Sequence, residues 1–206
     1  MDTFGIHDIT PLRGIELGHG LEIERRFLVD GRGSKPWRNV SSLSKITQFY
    51  LDVDSFEIDS LQLFYNSIPI VQLSETESKL MGKDKISSAR LRFIDDKIIL
   101  SFKGKKNYDS VMEFEWGLSQ IPDGVNLDNY CFVEKTRYFW PGTDGLTWEI
   151  DEFEGRLAGL ILAEVELDNS LQTVEKPEWV GSEITGLSAW SNSSLAKTIE
   201  SINRIK

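Results

Sequence analysis

The chain has a single cysteine, Cys131, among its 206 residues. No intrachain disulfide framework can form, and the usage fits a reducing compartment, so a cytoplasmic location is expected. No segment approaches the roughly 20 consecutive apolar residues of a membrane-spanning helix, and no membrane association is expected. The opening Met1-Asp2-Thr3-Phe4-Gly5-Ile6-His7 has neither a basic start nor a long apolar run, which argues against a secretory signal. Positive charge is also scarce: 23 Lys and Arg stand against 33 Asp and Glu, a formal net charge of −10. That balance argues against a nucleic-acid partner. It leaves room for a small anionic ligand, because carboxylates gathered around divalent metal would add to the negative count. Internal repeats, low-complexity tracts and interdomain linkers are missing, so 1–206 reads as one domain.

Aromatic residues are plentiful, with 11 Phe, 6 Trp and 5 Tyr, and favour strands. Residues 1–20 read as an N-terminal arm, rich in glycine and without periodicity. Alternation then predicts strands over about 21–29 and 46–53, a hairpin over 89–94 and 98–103 turning at Asp95-Asp96, and strands over 111–116, 131–140, 146–153 and 160–167. Residues 54–87 form an insertion of unassigned structure. Within it, 61–65 and 68–73 suggest a hairpin, and 74–88 suits a loop or a short helix. Residues 119–130 read as a connection with about one helical turn. Asn192 opens a C-terminal helix with Leu195, Ile199 and Ile202 at helical spacing.

Successive side chains of a strand point to opposite faces. Glu22, Glu24 and Arg26 therefore share one face of the first strand. Glu113 and Glu115 share another, as do Glu164 and Glu166, while Arg90 with Arg92 and Lys135 with Arg137 form basic faces and Lys103 lies on the strand next to Arg90. Turned outward, every one of these faces is solvated and the Trp, Phe and Leu faces make the core. Turned inward in a closed or nearly closed sheet, they make a polar tunnel. Its carboxylates suit Mg²⁺ or Mn²⁺, which prefer oxygen ligands. Its arginines suit a polyphosphate. The outward reading explains each strand separately but accounts less well for the segregation of sign strand by strand, so both readings stay open at this point. Phe114 and Trp116 then belong to the core, to a helix-covered outer barrel surface, or to a subunit contact.

Glu22-Ile23-Glu24-Arg25-Arg26-Phe27-Leu28 resembles the Glu-x-Glu-x-Lys signature of the CYTH superfamily, the triphosphate tunnel metalloenzymes. The likeness continues in order through Gln48-Phe49-Tyr50-Leu51, Ala89-Arg90-Leu91-Arg92, Phe102-Lys103-Gly104, Glu113-Phe114-Glu115, Glu134-Lys135-Thr136-Arg137-Tyr138, Trp148-Glu149-Ile150-Asp151-Glu152-Phe153 and Ala163-Glu164-Val165-Glu166-Leu167. The resemblance implies a mainly β fold, an eight-stranded antiparallel β-barrel tunnel with peripheral helices, and is compatible with a homodimer. It implies metal ligation by Glu22, Glu24, Glu113, Glu115, Asp151, Glu164 and Glu166. Substrate binding is implied for Arg26, Arg90, Arg92, Lys103, Lys135 and Arg137, and catalytic roles for Arg26 and Tyr50. The implied activity is metal-dependent hydrolysis of tripolyphosphate or an organic triphosphate. The alternatives are a non-catalytic polyphosphate-binding module and a class IV-type adenylate cyclase. Two departures stand out. Arg26 replaces the signature lysine, and arginine, unlike lysine, cannot readily change protonation state. Gly186-Leu187-Ser188-Ala189-Trp190 replaces an acidic and aromatic segment, which bears on how the C-terminal end of the tunnel closes.

Overall fold

The computed structural model describes residues 18–39, 42–83, 86–105 and 107–204. Most of the expected N-terminal arm lies outside them. Eight strands close on themselves: β1 (Gly18–Val29), β8 (Ser110–Leu118), β7 (Lys97–Lys103), β6 (Ser88–Ile94), β2 (Leu43–Leu51), β9 (Phe132–Pro141), β10 (Thr147–Phe153) and β11 (Ile161–Glu166), which pairs back to β1. Every pairing is antiparallel. The barrel is therefore inverted relative to an ordinary one. Its charged residues face the lumen, and its apolar faces point outward and are covered.

Two covers do this. The first is the 54–87 insertion, which folds as β3 (Phe56–Asp59), β4 (Gln62–Tyr65) and β5 (Ile68–Gln72) followed by α1 (Glu75–Lys83). It packs Leu63, Val71, Leu73 and Met81 onto Leu91, Leu100, Phe102 and Phe114 from the outer face of β6 to β8. Phe56 meets Phe102 edge-on at 4.8 Å between ring centroids. Phe114 and Trp116 thus belong to the outer surface of the barrel beneath this cover. The hairpin expected at 61–73 is present as β4 and β5, and within 74–88 the helix α1 occupies Glu75–Lys83. Its start is a reciprocal cap: Ser74 Oγ accepts from Glu77 N at 3.2 Å, and Glu77 Oε2 accepts from Ser74 N at 2.7 Å. The same Glu77 accepts from Trp116 Nε1 at 2.8 Å, tying the insertion to β8.

The second cover is aromatic. A short 3₁₀ turn at Pro36–Asn39, inside a stretch that reads as loop, buries Trp37 against Trp179 at 4.8 Å. Trp179 in turn meets Trp140 and Trp148. Beneath them lie Phe27, Ile150, Ala163 and Val165, all fully buried. Burial of side chains this size contributes about 1.5–3 kcal/mol each.

Some boundaries differ from those expected. β1 begins at Gly18 because β8 offers it a ladder from Glu115 to Ser110, and pairing overrides glycine's weak strand preference. β2 ends at Leu51 because Asp52 accepts from Asp54 N and starts a 3₁₀ turn. A further strand, β12 (Val180–Glu183), was not expected; it lies along β1 at Phe27 and Val29. There Gly181 approaches so closely that a Cβ would sit 2.6 Å from Leu28 O. Helix α2 (Asn192–Arg204) sets Ala196 and Leu195 against Tyr50, Val133, Phe153 and Leu162, closing the end of the barrel where Leu28 and Leu162 pair. Ala196 is buried while Ile202 is exposed, so the contact face sits nearer the start of α2 than its Leu195-Ile199-Ile202 spacing implies. Among the described residues, no helix is long and apolar enough to cross a membrane.

Candidate functional site

The alternation of each strand delivers its polar residues to the lumen. β1 supplies Glu22, Glu24 and Arg26; β2 supplies Gln48 and Tyr50; β6 supplies Arg90 and Arg92; β7 supplies Ser101 and Lys103. β8 supplies Glu113 and Glu115, β9 Lys135 and Arg137, β10 Glu149 and Asp151, and β11 Glu164 and Glu166. Eight carboxylates thus face six cations.

On the β1–β8–β7 side, Lys103 Nζ lies 2.5 Å from Glu22 and 3.1 Å from Glu113. Arg90 pairs with Glu113, reaching past β7 across the lumen. Ser101 Oγ donates to Glu115 at 2.8 Å, and Arg90 and Arg92 each stand 3.5 Å from the same carboxylate. Burial pushes the Glu22 carboxyl up to about 8, against the pull of Lys103 and with Glu113 and Glu24 adding to the rise. Glu113 moves the other way: burial raises it, but Arg90 and Lys103 overcome burial and hold it well below the usual carboxylate range. Burial and the neighbouring Arg90 push the Arg92 guanidinium down, and its Nε has no hydrogen-bond partner.

On the β9–β10–β11 side the pairing is tighter. Arg137 meets Asp151 through Nε and Nη2 at 2.7 Å each, contacts Glu149, and reaches Glu164 at 3.0 Å. Lys135 pairs with the same Asp151. Burial and then Arg137 push the Lys135 ammonium down to about 8. Burial pushes Glu149 up to about 7 despite Arg137. Glu164 is buried, yet Arg26 and Arg137 hold it well below its ordinary value. Arg26 joins the two sides: Nε lies 2.6 Å from Glu164 and Nη2 lies 3.2 Å from Glu24. The Nε–Glu164 contact is an ion pair without hydrogen-bond alignment. Tyr50 is buried and accepts from Gln48 Nε2; burial pushes its hydroxyl above its ordinary value, so it stays protonated at neutral pH.

All fourteen residues singled out from the sequence lie on this inner face. Glu166 sits at the exposed end of β11, opposite Glu24 in register, with no cation in ion-pair reach among the described residues. Burial still raises its carboxyl. Three lumen residues were not singled out: Glu149, Gln48 and Ser101. Each lies two positions from a residue that was, so the alternation already carried the signal. Among the described residues, no three His, Cys, Asp or Glu side chains converge as a metal cluster, because lysines and arginines stand between the carboxylates.

No family model matches the chain. It is 38% identical over 117 residues to an inorganic triphosphatase of Acetivibrio thermocellus, spanning 55% of this chain and 74% of the relative. It is 41% identical over 105 residues to an inorganic triphosphatase of Nitrosomonas europaea, spanning 45% of this chain and 70% of the relative. The chain belongs to the CYTH superfamily of triphosphate tunnel metalloenzymes. A crystal structure of an inorganic triphosphatase aligns with this CYTH barrel at a TM-score of 0.48 and 24% identity, covering 85% of this chain and 93% of that one.

Proposed function

We propose that this protein is a metal-dependent hydrolase of tripolyphosphate or an organic triphosphate, acting inside the barrel. The observation that carries this reading is the closed lumen in which two excess carboxylates and five further cations besides Arg26 face one another. The two relatives' names point the same way.

The donor set suits a divalent cation. Glu22, Glu24, Glu113, Glu115, Asp151, Glu164 and Glu166 offer only hard oxygen donors, the kind that Mg²⁺ and Mn²⁺ prefer. Glu22 and Glu166 are held above their ordinary values by burial, which a bound cation would offset. Glu22, Glu24 and Glu166 are the residues assigned to hold the ion, since Glu24 and Glu166 are cross-strand partners and Glu22 shares their face. When bound, the metal would neutralise phosphoryl charge and lower the pKa of a water.

The chain's own residues do the rest. Arg90, Arg92, Lys103, Lys135 and Arg137 take the triphosphate oxygens. Arg92 is the most available of these, its ion pair with Glu115 being 3.5 Å long and its cost of carrying charge raised. Phosphate oxygens draw Arg90 and Lys103 away from Glu113, and the released carboxylates gain capacity for the cation. Guanidinium groups fixed by strands stabilise charge on the leaving phosphate without reorganising. Tyr50, protonated and anchored by Gln48, orients a phosphate or a water as a donor and does not serve as a base.

A second reading, a binding module without turnover, draws support from Arg26 and Tyr50, neither of which accepts a proton at neutral pH. The test is phosphate release from tripolyphosphate, ATP and thiamine triphosphate with Mg²⁺ or Mn²⁺, all products read by phosphorus NMR. The hydrolase reading expects release that chelation abolishes and that E24A or E166A lowers at least about 100-fold with the fold intact. Release indifferent to chelation would sink it, and tight binding without release would install the binding module.

A further inference from the structure

All three guanidinium nitrogens of Arg26 face groups of the protein itself, Nε through an ion pair without hydrogen-bond alignment. Nε faces Glu164 and Nη2 faces Glu24, while Nη1 donates to the backbone carbonyl of Trp190 at 3.4 Å. The backbone of the same residue holds the start of that segment: Arg26 N donates to Thr185 Oγ1 at 3.0 Å, and Arg26 O accepts from Ile184 N at 2.8 Å. Residues 184–190 thus leave β1 at Arg26 and return to it. Trp190 ends the 3₁₀ turn Ser188–Trp190. The next residue, Ser191, caps α2, its Oγ accepting from Ser194 N and its carbonyl from Leu195 N. Leu195 and Ala196 then close over Tyr50, Phe153 and Leu162.

We propose that Arg26 is a positioning residue that fastens this C-terminal cap to the tunnel carboxylates Glu24 and Glu164, and is not a phosphate ligand. Arg26 thus meets the segment at both ends, through its backbone at Ile184 and Thr185 and through its guanidinium at the Trp190 carbonyl. Only a planar, forked side chain reaches two carboxylates and a carbonyl together; a lysine ends in a single nitrogen. The ligand arm of the test rests on the proposed function, whereas the ligand-free arm does not.

The experiment is hydrogen exchange by mass spectrometry on the full chain and its R26K variant. Without ligand, peptides covering 188–200 of R26K are expected to exchange about tenfold faster, with β6 and β7 unchanged. Equal exchange in the two proteins, or a uniform rise across the barrel, overturns the proposal. With saturating tripolyphosphate and Mg²⁺, exchange at 188–200 is expected to change in the wild type and to stay constant in R26K. A residue that merely filled space would loosen the cap without uncoupling it from ligand. If R26K does not fold, the wild-type arm decides alone: a cap indifferent to bound tripolyphosphate overturns the proposal. Calorimetry adds a third reading, a tripolyphosphate Kd for R26K within about threefold of wild type; a loss of tenfold or more assigns Arg26 to phosphate. Failure of the wild type to bind tripolyphosphate would count against the proposed function, leaving the ligand-free comparison to judge Arg26.

Discussion

The two sides of the lumen use the same chemistry under different constraint. Between β9 and β10, the side chains of Lys135 and Asp151 are 2% and 1% exposed. Between β7 and β1, those of Lys103 and Glu22 are 21% and 18% exposed. In the first pair the charges are sealed and answer to each other, to Arg137 and to Glu164. In the second, solvent reaches both partners, and burial raises the Glu22 carboxyl despite Lys103. On the sealed side an entering ion must displace a buried pair; on the half-open side it meets partners that solvent already reaches.

The largest effect should come from breaking the sealed side. Asp151→Asn leaves Lys135 and Arg137 buried without their shared carboxylate. Removing one partner of a buried pair typically costs about 3–5 kcal/mol. Urea melts of the metal-free chain should show a loss of that size for D151N. E22Q should lose no more than about 1 kcal/mol, since its pair with Lys103 is partly exposed and Lys103 keeps Glu113 as a partner. Equal losses for the two variants would erase the distinction between the sides.

A medium effect concerns pH. Burial raises Glu22 to about 8 and Glu149 to about 7 in the folded chain. A carboxyl whose folded value lies above its unfolded value favours the fold while neutral. That stabilisation is full below the unfolded value near 4.3 and fades as pH climbs through the folded one. In chelator the melting temperature should therefore decline between about pH 5 and pH 8, with a shallower decline in E22Q. Lys135, pushed down to about 8, acts in the opposite sense, but its penalty is relieved only above that value. Scanning fluorimetry across the range provides the measurement. A flat wild-type profile would show that Glu22 is already ionised, and the half-open side would lose its special status.

How much of this was readable in the sequence follows from the range of the interactions involved. The lumen was legible because a period of two is local: Glu22, Glu24 and Arg26 declare a shared face whatever they meet. Glu149 was equally legible, since it shares a strand face with Asp151 two residues on. The insertion was only half legible because β3, the strand not read in it, has only four residues. The capping pair Ser74 and Glu77 was a local signal for α1. Trp37 gave no local sign, because its partners Trp179 and Glu152 are remote in sequence. β12 lacks apolar alternation altogether and is held by the close approach of Gly181 to Leu28. The pairing of Arg26 with Trp190 was likewise invisible, although both residues had been marked as departures.

The smallest expected effect sharpens the comparison from outside the barrel. Arg32 and Asp30 form an ion pair 2.7 Å apart, with side chains 91% and 57% exposed. Arg137 and Asp151 are also 2.7 Å apart. Hydrogen bonds from Arg32 hold the Asp30 carboxyl below its ordinary value, so the contact is formed. In water, however, each partner keeps an alternative solvent shell, and the ordering of two long side chains offsets the attraction. Arg32→Ala should shift the melting temperature by less than about 1 °C, within the ordinary scatter of surface substitutions. Separation is the same in the two pairs, so any difference between R32A and D151N measures burial and network, not distance. A large loss in R32A would mean that contact distance alone sets the energy, and the division of the lumen into sealed and half-open sides would lose its physical basis.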